Sequence, residues 1–248
     1  MKPITLITGA SRGIGAATAR WCVTQGHAVV LNYRADEAAA MALQKELLQR
    51  GGTVLVVQAD VAVEADVVRL FETVDDALGR ISFLVNNAGR VDAQVRVDEL
   101  TAEQWQRLFS VNVLGSFLCA REAVRRLSTK HGGRGGAIVN VSSTASRLGA
   151  PGRYVHYAAS KGAIDSLTIG LAQEVAAEGI RVNAVRPGII DTEIHASGGQ
   201  PDRAKTGASQ IPMQRAGTAN EVARAIGWLL TDAASYTTGA ILDVSGGR

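Results

Sequence analysis

The chain has little of what marks several protein classes. It carries two cysteines, Cys22 and Cys119, far apart and on apolar helical patterns, so neither a disulfide framework nor a thiolate metal site is expected and both read as buried free thiols. No apolar run is long enough to span a bilayer, and the N-terminus enters a strand pattern almost at once, with no basic region and cleavage site ahead of it. A soluble, cytoplasmic protein with no membrane partner is expected. Charge is nearly balanced, 26 Lys and Arg against 23 Asp and Glu, and the basic residues are scattered, so no nucleic-acid partner is expected. One local group, Arg121, Arg125, Arg126, Lys130 and Arg134, falls toward a helix C-terminus, where cations offset the macrodipole, and reads as a solvated helix end. The histidines, His27, His131, His156 and His195, show no ligand spacing, so no metal is expected. No solenoid-type repeat is found.

What is present is an alternation of strand and helix patterns over 248 residues, 46% apolar and 20% charged, which is a globular composition. Short β-rich runs at 4–8, 28–33, 53–58, 82–86, 137–141, 180–185 and 240–244 predict seven strands. Helical patterns lie between them, at 36–50 and 64–78 among others, and Gly26, Gly51, Gly79 and Gly179 follow helices as left-handed caps require. Thr101 with Gln104 and Thr218 with Glu221 form capping boxes. The first opens a long helix running past Asn112 to about 127, and a second long helix is expected from 154 to 179. Residues 195–209 are polar and without period, the composition of a mobile surface loop. The fold class is α/β: one Rossmann domain over 1–248, a doubly wound seven-stranded parallel sheet with helices on both faces, and a substrate loop at about 193–212.

Ligands of such sheets bind beyond the carboxyl ends of the strands. Residues 9–15, Asp60, 86–89, Ser142 with Ser143, and Pro187 with Gly188 all follow strands and should converge on one edge. The glycines of the first turn, Gly9, Gly13 and Gly15, stand where a backbone must turn tightly and approach a pyrophosphate at a helix N-terminus. Tyr157 and Lys161 lie four residues apart, on one helix face. A phenol titrates near ~10 and is a poor acid or base at neutral pH unless a nearby cation favours its anion, a role open to Lys161.

Taken together, the run from Thr8 to Gly15, Asn86-Asn87-Ala88-Gly89, Asn112, Ser143, Tyr157-x-x-x-Lys161 and Pro187-Gly188-x-x-x-Thr192 resembles the short-chain dehydrogenase/reductase family, in the expected order from first strand to last. It is similar to the glucose 1-dehydrogenase-like and 3-oxoacyl reductase-like members. The resemblance implies an oxidoreductase acting on a small carbonyl or alcohol substrate. Tyr157 would be the general acid/base, Ser143 would polarise the substrate oxygen, and Lys161 would lower the tyrosine's pKa and bind the nicotinamide ribose. Asn112 would support a water-mediated proton path to the lysine. The implied cofactor contacts are Gly9, Ser11, Arg12, Gly13, Ile14 and Gly15 in the turn, Asp60 with Val61 at the adenine, Asn87, Ala88 and Gly89, then Pro187, Gly188, Ile190 and Thr192, together with Tyr157 and Lys161. Tyr33 replaces the acidic residue that would bind a ribose hydroxyl, and Arg34 follows it; with Arg12, two guanidiniums could flank a 2′-phosphate, so NADP(H) is expected. The long helices through Asn112 and Tyr157 would pair in a homodimer or homotetramer. Two alternatives stand beside this reading: a non-catalytic module that senses NADP(H), and an NAD-preferring sugar dehydrogenase. The pocket is expected between 147–156 and 193–212, where Arg147 and Arg153, in the loops before His156, and His156 itself read as solvated or hydrogen-bonding residues.

Overall fold

The strand runs are nearly all apolar because both faces of the sheet are covered. A computed structural model describes residues 2–248, so residue 1 of the expected domain lies outside the described residues. The first half reads β1 Ile4–Ile7, α1 Gly13–Thr24, β2 Ala28–Tyr33, α2 Glu37–Gln49, β3 Thr53–Gln58, α3 Glu64–Ala77 and β4 Phe83–Asn86. Then come α4 Ala102–Phe109, α5 Ser116–Leu127, β5 Gly136–Val141, the single turn α6 Ala145–Leu148, α7 Val155–Val175 and β6 Ile180–Pro187. The chain closes with β7 Ile190–Asp191, α8 Ile194–Ser197, α9 Arg203–Thr206, β8 Gly217–Thr218, α10 Ala219–Leu230 and β9 Ile241–Val244. The seven-stranded sheet has the order β3-β2-β1-β4-β5-β6-β9, and β7 and β8 form a separate pair. Every pairing in the large sheet is parallel, in register from Ile4 opposite Ala28 on one side to Pro187 opposite Val244 on the other.

Successive side chains of a strand point to opposite faces, so neighbours in sequence join different cores. Leu6, Leu84 and Ile138 pack with Phe71 of α3, Leu127 of α5 and Val175 of α7. Ile7, Val85 and Val139 pack with Cys22 of α1, Leu47 of α2 and Ile226 of α10. Burying one such Leu or Ile side chain fully contributes about 1.5–3 kcal/mol. Helix α10 approaches α1 closely because Gly227 has no side chain; a Cβ there would collide with the ring of Trp21.

The helices start and stop where the local chemistry indicates. Both capping boxes are present, and Gly26, Gly51, Gly79 and Gly179 all have positive φ. Three expectations are corrected. The helix through Asn112 is not continuous: Ser110–Gly115 is a π-helical segment between α4 and α5. Its last residue must be glycine because a Cβ on Gly115 would lie 2.7 Å from Cγ2 of Val61. Residues 195–209 are not without structure, since α8, α9 and the 3₁₀ turn Ala208–Gln210 occupy most of the stretch. Arg121, Arg125 and Arg126 are not a solvated helix end. All three pair with Glu122, whose carboxylate is buried, and Arg126 also pairs with Asp75 at 2.7 Å and lies over the Phe71 ring. Burial raises the Glu122 carboxyl, yet Arg126, Arg125 and Arg121 outweigh it and hold the group below its ordinary value. No helix among the described residues is long and apolar enough to cross a membrane.

Candidate active site

The strand ends expected to converge do so around one cavity of about 630 Å³. Tyr33, Arg34, Asp60 and Val61 line it beside β2 and β3, followed by the turn residues Gly9, Ser11, Arg12, Gly13 and Ile14. Asn87, Ala88 and Gly89 follow β4, Ser143 follows β5, and α7 contributes Tyr157 and Lys161. Pro187, Gly188, Ile190 and Thr192 complete the wall after β6. Gly15 and Asn112 are the two expected site residues that do not reach it.

The glycine turn is a fitted cradle. Gly9 and Gly13 have φ of 60° and 55°, where other residues are strained. A Cβ on Gly9 would come 2.9 Å from Cα of Ala88, and one on Gly15 would come 2.6 Å from both Nδ2 of Asn87 and the oxygen of Gly9. Gly15 thus lets the turn fold onto the end of β4. Hydrogen bonds fix that contact: the N–H groups of Asn87 and Ala88 donate to Oγ1 of Thr8 at 3.0 and 2.9 Å, and Nδ2 of Asn87 donates to the oxygens of Thr8 and Gly9. Helix α1 has no side-chain cap and no acidic residue in its first turn. Uncapped N–H groups behind a close-approach turn suit a pyrophosphate, so these residues fit a dinucleotide.

Strand β5 ends by sending its two serines to different tasks. The hydroxyl of Ser142 is buried and donates to Oδ1 of Asp165 at 2.7 Å and to the main-chain oxygen of Lys161 at 3.2 Å. Ser143 is on the cavity wall beside Tyr157, its hydroxyl accepting from the N–H of Ala145 at 3.1 Å. Lys161 is buried and its Nζ donates to the main-chain oxygen of Val141 at 2.8 Å. Asn112, fully buried in the π segment, accepts from the N–H of Arg90 and donates to the oxygen of Arg90 and to Oγ of Ser160. It stands behind Gly89, where a Cβ would lie 3.5 Å from Oδ1 of Asn112 and 3.6 Å from Nζ of Lys161.

A family model described as enoyl-(acyl carrier protein) reductase matches residues 9–248. The uncharacterized oxidoreductase YgfF of Escherichia coli (strain K12) is 56% identical over 245 residues, 99% of each chain. Among solved structures, a short-chain dehydrogenase/reductase from Serratia marcescens BCRC 10948 superposes with a TM-score of 0.89 at 32% identity, covering 99% of this chain and 97% of its own. The chain belongs to the short-chain dehydrogenase/reductase family. The 3-ketoacyl-(acyl-carrier-protein) reductase from Brucella melitensis, solved as a complex with NADH, has a TM-score of 0.91 at 33% identity, with 99% and 98% of the two chains covered.

Within this family frame the electrostatics depart from one expectation. The Tyr157 phenol is raised above its ordinary value by burial, which the nearby Ser143 hydroxyl only partly opposes, rather than lowered as the resemblance implies. The Lys161 ammonium is 5.8 Å from the tyrosine ring centroid and is spent on Val141. Burial lowers Lys161 itself to about 8, with Asp165 acting in the other direction. Partial burial of Tyr157 and full burial of Lys161 thus both shift the balance toward the neutral form.

Four placements were not foreseen. Asp60 is on the cavity wall, but Oδ1 accepts from the N–H of Ala62 at 3.0 Å and Oδ2 pairs loosely with Arg34 at 3.9 Å. His156 lies in the first turn of α7, within the expected helix, but it is buried rather than solvated and its Nε2 has no partner. Arg147 turns away to Asp243, at 3.3 Å, and to the main-chain oxygen of Arg248, at 2.9 Å. Arg203 and Arg248 line the cavity instead. Arg203 sat inside the polar 193–212 stretch without a distinguishing neighbour, and Arg248 gave no local signal, because only the pairing of β9 with β6 carries it to this edge.

Proposed function

We propose that the protein is an NADP(H)-dependent oxidoreductase that passes a hydride between nicotinamide and the carbonyl or secondary-alcohol carbon of a small substrate. The carrying observation is that Ser143, Tyr157 and Lys161 converge on the wall of one cavity that begins at a dinucleotide-fitting glycine turn. When bound, the nicotinamide gives up or receives the hydride. The hydroxyls of Ser143 and Tyr157 present two donors to one substrate oxygen, which stabilises the charge that develops there on reduction. Burial keeps Tyr157 protonated at neutral pH, the form a proton donor to that oxygen requires. Lys161 holds the cavity floor between Val141 and Gly89 and, below about pH 8, carries the proton that can replace the one Tyr157 gives. Asn112 positions the Arg90 main chain and, through Ser160, the first turns of α7: Ser160 Oγ itself donates to the oxygen of Tyr157 at 2.7 Å.

The preference for a 2′-phosphate is supported by Tyr33 at the end of β2 and by Arg12 and Arg34 on the same wall. One observation favours NAD as a second reading: Arg34 leans toward Asp60. That pair is loose and more than half exposed on the arginine side, so it is weak enough for a phosphate to displace. Assembly into a dimer or tetramer is supported by the apolar surface running from α4 through the π segment to α5, where Trp105, Leu114 and Phe117 are exposed; sedimentation reads the state directly. The test of the reaction is Tyr157→Phe, assayed by NADPH oxidation over a panel of ketones, aldehydes and oxo esters. The expected loss is about 10²–10⁴-fold; a protein that keeps full turnover sinks the assignment of Tyr157.

A further inference from the structure

The cavity has a basic group at each end. Arg12 and Arg34 stand near the ends of β1 and β2, and Arg203 and Arg248 stand beyond β6 and β9. The strand order puts Ser143, after β5, between them. A dinucleotide with its adenosine end at Arg12 and Arg34 therefore leaves the second pair to whatever lies past Ser143 and Tyr157.

Among the described residues neither guanidinium of that second pair, Arg203 and Arg248, has an acidic side chain as a partner, although neighbouring arginines do: Arg147 pairs with Asp243 and Arg186 with Asp165. The acidic residues of the cavity wall are Asp36, Asp60 and Glu193. The first two belong to the Arg34 end, and the Glu193 carboxylate lies at the glycine turn, 3.8 Å from where a Cβ on Gly13 would be. Arg248 is not a loose tail. Gly246 and Gly247, both at positive φ, turn the chain back, and the Arg248 main-chain oxygen accepts from Ser245 Oγ and Arg147 Nη2, each at 2.9 Å. Burial lowers the Arg203 guanidinium from its ordinary value, and the charges of Arg248 and Arg153 add to that, while Tyr154 opposes it. His195, beside them, is also depressed by burial and adds no stable charge at neutral pH. Like charges gathered on a partly desolvated wall are unfavourable until an anion joins them.

We propose that the substrate carries an anionic oxygen group, a carboxylate or a phosphate ester, and that Arg203 and Arg248 bind this group while Ser143 and Tyr157 hold the carbonyl. This rests on the oxidoreductase reading above. Guanidinium forks bind two oxygens of such groups at once, which fixes the orientation of the carbonyl as well as its affinity. Oxo acids and phosphorylated ketones fit; neutral sugars, steroids and simple ketones leave the pair unmet.

Two matched pairs of probes test it: 4-oxopentanoate against its methyl ester, and dihydroxyacetone phosphate against dihydroxyacetone. Binding to the full-length protein is measured by calorimetry, and turnover by NADPH oxidation. The expected result is that the anionic member of one pair is bound and turned over about tenfold better than its neutral partner, the size of one charge-assisted contact. Arg203→Gln and Arg248→Gln should each collapse that preference. Preference within the first pair identifies an oxo acid, and within the second a phosphorylated ketone. Equal treatment of anion and neutral partner overturns the proposal, as does anion binding lost in Arg34→Gln but kept in Arg203→Gln. Anion binding that depends on Arg203, with no NADPH oxidation by any probe, leaves the anion site standing and removes the reaction.

Discussion

The side chain of Asn112 grips both main-chain groups of Arg90, accepting from its N–H at 2.8 Å and donating to its oxygen at 3.0 Å. The π segment is what brings Asn112 inward; in a regular helix the residue would need another position to reach the chain after β4. Asn112→Ala would leave both Arg90 groups without their partner and remove the donor to Ser160 Oγ, which keeps its bond to the Tyr157 oxygen. Unpaired buried polar groups cost about 1–3 kcal/mol each, and the chain can relax partly. A loss on the order of 2–4 kcal/mol is expected in urea unfolding, with a lower kcat.

Lys161 illustrates a conflict between stability and function. Its folded pKa, about 8, lies below the ordinary 10.5. The unfolded chain therefore binds more protons between pH 8 and 10.5, so stability rises with pH across that window, and at pH 7 the buried ammonium is a liability. Lys161→Met removes the liability along with the hydrogen bond to Val141. The variant is expected to be more stable at pH 7 by on the order of 1–2 kcal/mol, seen as a higher Tm, while NADPH oxidation falls by about 100-fold or more. The wild-type rate should decline as pH rises through about 8.

How much of this was legible in the sequence follows the range of the interaction. The capping boxes, the glycine turn and the Tyr157–Lys161 spacing are set within a few residues, and all appear where the pattern placed them. Ser142 and Ser143 both reach the cavity wall, but the Ser142 hydroxyl is committed to Asp165 and the main-chain oxygen of Lys161, a division of labour that depends on α7 and was not legible from the Ser-Ser pair itself. The π segment was not legible, since it depends on Gly115 meeting Val61 and on Asn112 meeting Arg90 across distant stretches of chain. The Glu122 network was hidden for the same reason: Asp75 and Glu64 come from α3. The burial of His156 was not legible because its position on the first turn of α7 does not show what packs over it.

Acid should unfold the protein through its histidines. Burial lowers His27, His156 and His195 below their ordinary 6.5, with Asp92 opposing this at His156. Because the unfolded state takes up these protons first, stability is fully present above about pH 6.5 and is lost as pH falls toward the folded values. Each such group gives a slope of up to about 1.4 kcal/mol per pH unit. His156→Leu removes an unpartnered buried nitrogen, so it should change stability little at pH 7.5 and flatten the decline in Tm between pH 6.5 and 5. A decline of unchanged steepness would contradict this.

Cofactor choice turns on a handful of atoms at the end of β2. Tyr33 is buried there and brings no charge, while Arg34, exposed and only 3.9 Å from Asp60, can swing between that carboxylate and a phosphate. Putting a carboxylate at the strand end with Tyr33→Asp adds an acceptor for a ribose hydroxyl and repels a 2′-phosphate. It also gives Arg34 a second acidic neighbour to hold it back. The ratio of kcat/KM for NADPH over NADH is expected to fall by about 10–100-fold, from weaker NADPH binding more than from slower turnover, as a close like-charge contact of roughly 1.4–2.8 kcal/mol predicts. Arg34→Ala should lower the same ratio without raising NADH use. An unchanged ratio in both variants would mean that the strand end does not contact the 2′ position, and the preference would have to rest on Arg12.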